Sequence, residues 1–212
     1  MPDAIWTYPA VSALVGASAA FLFGGVRDSV LAWRFKKREA YYLTVVVIAE
    51  LEQFVQGCYN VSHDDGTAYG QPAGQGGQFA SQSTEPTFQP LDLDLEWKTL
   101  DLDLMRRCID IPRQQTKIDR RVTWALDDGD WTTEAFLQRR LGYAELGLST
   151  LDLISALRTK AGIPKDDHRP GDWSVRVGLI DQQERATRER ARRFAEEAAD
   201  WERVKPDVPP PP

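Results

Sequence analysis

Residues 132–164 have the sequence TTEAFLQRRLGYAELGLSTLDLISALRTKAGIP, which carries the clearest helical pattern in the chain. Its apolar residues recur at steps of three and four, the period of one face of an α-helix. The stripe consists of Leu137, Leu141, Ala144, Leu148 and Leu151, flanked by Ile154 and Leu157. Asp130 or Thr132 caps the start of the predicted helix, and Gly162 and Pro164 end it. The spacing therefore predicts a long helix that buries one face.

A second helix is predicted before this stretch, from Arg34 to about Val61. Its stripe also steps by three and four, and it consists of Tyr41, Thr44, Ile48, Leu51, Val55 and Cys58. A third helix, capped by Thr99 or Asp101, is expected to continue to Ile111. Pro112 is expected to start a new helix, because proline suits a first helical turn better than an interior one.

The last predicted helix runs from about Trp173 to Val204, with Asp172 as its cap. Ala191, Phe194, Ala198 and Trp201 form a narrow stripe of the kind that packs against one partner helix. Charged pairs at a spacing of four residues support this helix, and its mixed charges indicate a solvated, salt-bridged face rather than an anion-binding one.

Between the helices, residues 62–90 are rich in Gly, Gln, Ser and Thr, which predicts a flexible loop. The segment contains no lysine, so it is not a phosphate-binding loop. Alternation of Leu and Asp at 91–95 predicts a short strand. The tail at 206–212 is rich in proline and is expected to be extended.

The N-terminal segment has no charged side chain between Asp3 and Arg27. The apolar run Ile5 to Val26 would reach roughly 33 Å as a helix, enough to cross a hydrocarbon core. Aromatic residues suited to the membrane interface flank the run at Trp6, Tyr8 and Trp33. The sequence therefore predicts a single-pass transmembrane helix.

Charge sets the expected orientation of this helix. The basic residues that follow the run are Arg27, Arg34, Lys36, Lys37 and Arg38. The positive-inside rule places them in the cytoplasm of a bacterial-type cell (inner) membrane, with the N-terminus outside. Arg34, Lys36, Lys37 and Arg38 are expected to contact anionic lipid.

Two alternatives remain open for the segment. A cleaved signal peptide would use the small residues Ala17-Ser18-Ala19, but no basic residue precedes them and apolar residues continue beyond them. A buried core helix is the other alternative, although the segment has no polar face. Small residues recur every four positions at Ser12, Gly16, Ala20 and Gly24, which would suit association between two membrane helices.

The overall expectation is an all-α protein, with the transmembrane helix followed by an antiparallel bundle of three or four long helices. Trp97, Trp124, Trp131 and Trp173 are expected at the ends and seams of the bundle. The predicted division is an anchor with its interfacial flank (1–33), a basic juxtamembrane segment with the first bundle helix (34–61), the flexible loop (62–90), the rest of the bundle (91–204) and the tail (205–212).

Composition and motifs indicate no catalytic, cofactor-binding or metal-binding residues. The net charge of −6 argues against nucleic-acid binding. His63 and His168 are predicted to be exposed loop residues, since neither has a second histidine at metal-ligand spacing. The acidic turn 127–130 lacks the ligand order of a calcium loop. Cys58 and Cys108 are predicted to be buried free thiols.

The chain resembles uncharacterised bacterial proteins that have an N-terminal membrane helix, a long juxtamembrane helix and a small cytoplasmic helical bundle. The residues that carry the resemblance are Trp97-Lys98, Asp103-Leu104-Met105, Tyr143, Leu146-Gly147-Leu148, Gly162-Ile163-Pro164 and Asp172-Trp173. The resemblance implies an anchored α-helical domain with no assigned activity, and it transfers no functional residues.

These observations favour a membrane-tethered interaction or scaffold protein, with the lipid bilayer and either a protein partner or a second copy as its partners. An enzyme or ligand-binding module is a second hypothesis, and it would use a polar cleft containing Asp101, Asp103, Arg106 or Asp110. A third is a membrane-linked regulator that detects anionic lipid through its basic segment.

Overall fold

Four long helices form the fold in a computed structural model, which describes residues 9–127, 133–164 and 174–204, with side chains for 33–126, 133–164 and 174–203. The helices are α1 (Pro9–His63), α2 (Leu102–Asp127), α3 (Thr133–Ala161) and α4 (Val175–Val204). Two short antiparallel strands, β1 (Thr67–Ala68) and β2 (Gln71–Pro72), lie between α1 and α2. The predicted helical bundle is confirmed within the described residues.

The central element is α3, which packs against each of the other three helices. It buries residues on several sides, including Tyr143, Leu146 and Leu153, whereas Leu148 and Leu151 of the predicted stripe are only half-buried. The prediction of a single buried face is therefore too narrow. A helix with neighbours on three sides needs apolar or small residues around most of its circumference.

Glycines let all three neighbouring helices approach α3 closely. A Cβ atom added at Gly142 would lie 2.7 Å from Ile118 of α2. One added at Gly147 would lie 2.9 Å from Leu179 of α4 and 3.1 Å from Cys58 of α1. At the end of the helix, Gly162 has a φ of +69°, and the Ile163 N–H donates to the Arg158 carbonyl at 2.9 Å. The predicted glycine stop of α3 is confirmed.

Ion pairs give the direction of each helix relative to α3. Arg158 pairs with Glu52 of α1, and Arg139 pairs with Asp64, the residue after α1. Lys160 pairs with Asp101, the cap of α2, and the pairs with α4 are Arg176–Asp152 and Arg193–Glu134. Residues late in α1 and α4 lie beside residues early in α3, and residues earlier in α1 and α4 lie beside residues late in α3. The first residues of α2 lie beside the end of α3. Consequently α1, α2 and α4 all run antiparallel to α3 and in the same direction as one another.

The connection from Asp64 to Asp101 must therefore return along the length of the bundle. Phe88 is buried in this connection, with its ring centroid 6.1 Å from that of Phe54 in α1. The side chains that follow and pack on the core are Leu93, Leu95, Trp97 and Leu100. The strand predicted at 91–95 is wrong: Pro90–Asp92 forms a 3₁₀ turn, where proline suits the first position and no adjacent strand is needed.

Helix α2 begins as predicted but does not break. The Asp103 N–H donates to the Asp101 carboxylate at 3.1 Å, as expected of a cap. The prediction that Pro112 starts a new helix is wrong, because α2 continues through it. Ile111 and Ile118 are both buried in the core on either side of the proline, and this packing holds the two halves in one helix despite the missing N–H.

The first half of α4 packs on the bundle through Leu179, Gln182 and Ala186, all of which are buried. The predicted stripe in its second half lies exposed instead: Phe194 is 64% and Trp201 66% exposed. Arg193 is paired with Glu134 in the first turn of α3. Residues 194–204 continue about 16 Å beyond this level, so within the described part of the chain no helix covers the stripe.

Candidate functional site

An exposed cluster of aromatic and basic side chains lies on α1 directly before the core. We call residues 33–38 together with Tyr41 and Tyr42 the aromatic–basic patch. Trp33, Phe35 and Tyr42 are each more than 60% exposed, whereas Leu43 is buried. The Lys37 ammonium lies 5.3 Å from the centroid of the Trp33 ring, within cation–π range. The patch therefore adjoins the end of the core at which α3 finishes.

The patch contains all four residues predicted to contact anionic lipid, namely Arg34, Lys36, Lys37 and Arg38, and each is exposed. Sequence reasoning placed Tyr41 on a packed stripe, but this side chain is 50% exposed. Phe35 and Tyr42 were missed, although their position beside a basic cluster is a usable signal. Aromatic rings with lysine and arginine suit a lipid headgroup region, where one part of each side chain is apolar and the other wet.

The remaining membrane predictions fall outside the described side chains. Trp6 and Tyr8 precede the described residues. Ser12, Gly16, Ala20 and Gly24 lie within α1, but their side chains are not described. In the portion of the chain for which side chains are described, no helix is long and apolar enough to cross a membrane.

A buried ion pair joins α3 to the connection that follows α1. The Arg139 guanidinium donates to the Asp64 carboxylate at 3.0 Å and to the Ser83 carbonyl at 2.9 Å. Backbone N–H groups of Gly66, Gln82 and Ser83 donate to the same carboxylate at 2.8–3.0 Å. The Asp64 carboxylate thus binds both ends of the loop 66–83, and Arg139 binds that carboxylate to α3.

These contacts set the ionisation of Asp64. Burial alone would raise the pKa of Asp64, but the three backbone donors and Arg139 outweigh it and hold the pKa below its usual range. The carboxylate is therefore charged and satisfied. Its hydrogen bonds leave it a structural group rather than a proton donor or acceptor for catalysis.

A second polar cluster lies between α2 and α3. The Tyr143 hydroxyl donates to Asp119 at 3.2 Å and accepts from the Gln115 amide at 3.1 Å. The Gln115 amide also donates to the Pro86 carbonyl at 2.8 Å. Burial and the nearby Glu85 charge raise the pKa of Asp119. The cluster therefore binds the connection between α1 and α2 to helices α2 and α3.

The residues proposed for an enzymatic cleft do not converge on one point. Asp101 and Asp103 line a shallow groove with Asp152 and Lys160. Asp101 caps α2 and pairs with Lys160, and Asp103 pairs with Arg106. Asp110 accepts a hydrogen bond from Gln114 and is not part of that groove. These engagements leave the groove without a free acid–base pair among its described residues.

The other groups considered for chemistry have local roles. His63 is the last residue of α1 rather than a loop residue. The centroid of its exposed ring lies 4.0 Å from the centroid of the Tyr59 ring. His168 and the turn 128–130 lie outside the described residues. Cys58 and Cys108 are buried free thiols, as predicted. Among the described residues, no group of three or more His, Cys, Asp or Glu side chains could hold a metal ion.

Comparison with protein-family models, curated proteins and solved structures finds no match to this chain. Of the resemblance inferred from the sequence, the helical architecture is what the structure supports.

Proposed function

We propose that this chain is a single-pass, membrane-tethered helical interaction or scaffold protein, with its N-terminus outside the cell membrane and its bundle in the cytoplasm. The observation that carries the proposal is the continuity of α1, a single helix from Pro9 to His63. Along this helix there follow, in order, residues 10–26 of the apolar run, the aromatic–basic patch and the first core residue, Leu43.

The spacing along α1 supports this order. Trp33 follows Val26 by seven residues, or about 10 Å of helix. That distance is comparable to the depth of one headgroup region, so a run embedded in the hydrocarbon would bring the patch to the membrane surface. An uninterrupted helix would then hold the bundle close to the membrane at a defined height.

The proposal is tested by extraction of cell membranes with alkaline carbonate. The wild-type chain is expected to stay in the membrane pellet. Leu14→Arg combined with Leu22→Arg should release it, because each arginine at the centre of a span costs about 2.5–3.5 kcal/mol of insertion free energy. Leu91→Arg with Trp124→Arg is the matched control, since both residues are exposed apolar side chains outside the run. Release of the wild-type chain would contradict the proposal.

A role as a regulator that detects lipid charge is the second candidate, and the exposure of the aromatic–basic patch favours it. Replacing Arg34, Lys36, Lys37 and Arg38 with glutamine should then change which proteins crosslink to the bundle in native membranes. A change in insertion orientation alone, with the crosslinked partners unaltered, would eliminate this candidate.

A further inference from the structure

The second half of α4 presents an apolar stripe with nothing of this chain described on it. We call Ala191, Phe194, Ala198 and Trp201 the α4 stripe; they follow one another at steps of three, four and three residues. All four are exposed, and the two aromatic side chains are each more than 60% exposed. That spacing is the seam of a two-helix coiled coil. Two exposed aromatic rings on one helix face indicate a contact surface.

Charge along the same part of α4 is divided into two halves. Residues 185–193 contain five arginines and one glutamate, whereas residues 194–203 contain four acids and one arginine. The mixed charges noted in the sequence are thus segregated along the helix. An occupant of the stripe that matches this pattern has an acidic half beside the arginines and a basic half beside the acids.

The helix itself, reversed in direction, has that charge pattern. We propose that the α4 stripe binds a second copy of this chain, with the two α4 helices antiparallel. With Phe194 of one copy opposite Ala198 of the other, this arrangement places residues 188–193 of each copy beside residues 199–204 of the other. A parallel pair would instead place arginines beside arginines and acids beside acids, at a cost in electrostatic free energy.

Side-chain size agrees with the antiparallel pairing. When Phe194 faces Ala198 of the second copy, Trp201 faces Ala191, so that each large ring meets a small residue across the two-fold axis. A parallel pair would set Trp201 against Trp201. Charge and volume therefore select the same direction independently.

A membrane surface fits the stripe less well. Helices that lie on anionic membranes carry lysine and arginine along the polar face, and here the aromatic half of the helix bears four acids. In addition, α4 runs in the same direction as α1, so its C-terminal end lies at the end of the bundle opposite the aromatic–basic patch.

The antiparallel pair has a geometric consequence, which rests on the proposed function. Because α1 and α4 of one copy run in the same direction, an antiparallel pair of α4 helices points the two α1 N-termini away from each other. Tethered copies joined in this way would connect two facing membranes. The interface is short, so confinement of many copies on each membrane would raise its occupancy through effective concentration.

The pairing is tested on the full chain in a non-ionic detergent, by light scattering and by co-purification of two differently tagged copies. One variant carries Arg188→Glu and Arg192→Glu, and the other carries Asp200→Arg and Glu202→Arg. Each variant alone should bind itself roughly ten-fold or more weakly than wild type, as expected for the loss of close charge pairs. A mixture of the two variants should recover the wild-type association.

A second variant, Phe194→Ser with Trp201→Ser, should abolish the association without lowering stability, because both side chains are exposed. Leu102→Ser with Trp124→Ser is the matched control, with two side chains of similar exposure elsewhere on the bundle. A wild-type chain that stays monomeric, a dimer that survives Phe194→Ser with Trp201→Ser, or a mixture that fails to recover would each overturn the proposal. Association through the Ser12–Gly24 face would give the second of these results. Membrane anchoring is decided separately, by the carbonate extraction.

Discussion

The Arg139 guanidinium lies 3.0 Å from the Asp64 carboxylate, and the two side chains are only 7% and 2% exposed although 75 positions separate them in the sequence. The pair connects the middle helix of the bundle to the point where the chain leaves α1. Because the same arginine also binds the Ser83 carbonyl, the connection is held at the start of its return path.

Removing the carboxylate should destabilise the bundle strongly. Asp64→Ala leaves the buried Arg139 charge with only the half-exposed Glu85 carboxylate, 3.5 Å away, as an acidic partner. The expected loss is therefore at most about 3–5 kcal/mol of unfolding free energy. It also removes the acceptor for three backbone N–H groups. Urea unfolding of the full chain in detergent, followed by circular dichroism, measures the loss. Asp65→Ala, at an exposed neighbour whose hydrogen bonds are local to Thr67, is the control and should cost about 1 kcal/mol or less.

Acid should weaken the fold through Asp64. Since the folded-state pKa of Asp64 is lowered, its contribution to stability is complete above the unfolded pKa of about 4 and is lost as pH falls through the folded pKa. Asp119 acts in the opposite sense, because its pKa is raised and its protonation favours the folded state. Unfolding measured between pH 6 and 3 should therefore depend less on pH in Asp64→Asn and more in Asp119→Asn, each relative to wild type. Identical slopes in all three proteins would refute this account of the two carboxyls.

Close helix packing at Gly147 should make even a methyl group costly. Gly147→Ala would press on both Leu179 and Cys58, and the expected loss of stability is about 1–3 kcal/mol despite the better helix propensity of alanine. Ser149→Ala, on the exposed side of the same helix, should change stability by about 0.5 kcal/mol or less. A stabilised Gly147→Ala protein would show that α1 and α4 do not approach α3 as described.

The two thiols should be unreactive in the folded protein. Burial raises the pKa of Cys58 above its usual range and that of Cys108 to about 12, so neither is a thiolate at pH 8. Intact mass after iodoacetamide treatment should show no adduct on the native chain and two adducts in urea. Rapid native labelling of either cysteine would contradict its position in the core.

Sequence periodicity predicted where the long helices lie, although for α3 it did not predict that residues on several sides are buried. The Asp101 cap, the Gly162 stop and the end of α1 near Val61 follow from local rules, because capping and helix termination depend on neighbouring residues. Pro112 did not follow its local rule, since core packing through Ile111 and Ile118 outweighs the missing hydrogen bond.

The contacts that fasten the connection could not be predicted. Asp64 lies in a polar sequence, His63-Asp64-Asp65, and nothing near it indicates burial or a partner in α3. The exposure of the second half of α4 could not be predicted either. A stripe of apolar residues has the same spacing whether it packs against another helix of its own chain or against a separate molecule. In the aromatic–basic patch, the basic residues could be predicted from charge, whereas the spacing of Tyr41 assigned it to the core.

The central claim, a membrane tether with the bundle inside, is tested most directly by labelling single introduced cysteines in intact cells with a membrane-impermeant maleimide. Asp3→Cys reports on the segment before the apolar run, and Tyr69→Cys reports on a fully exposed position in the turn between β1 and β2. The tether predicts labelling of Asp3→Cys from outside and of Tyr69→Cys only after the cells are broken. Labelling of both positions only after lysis, with the chain recovered free of membrane, would contradict it.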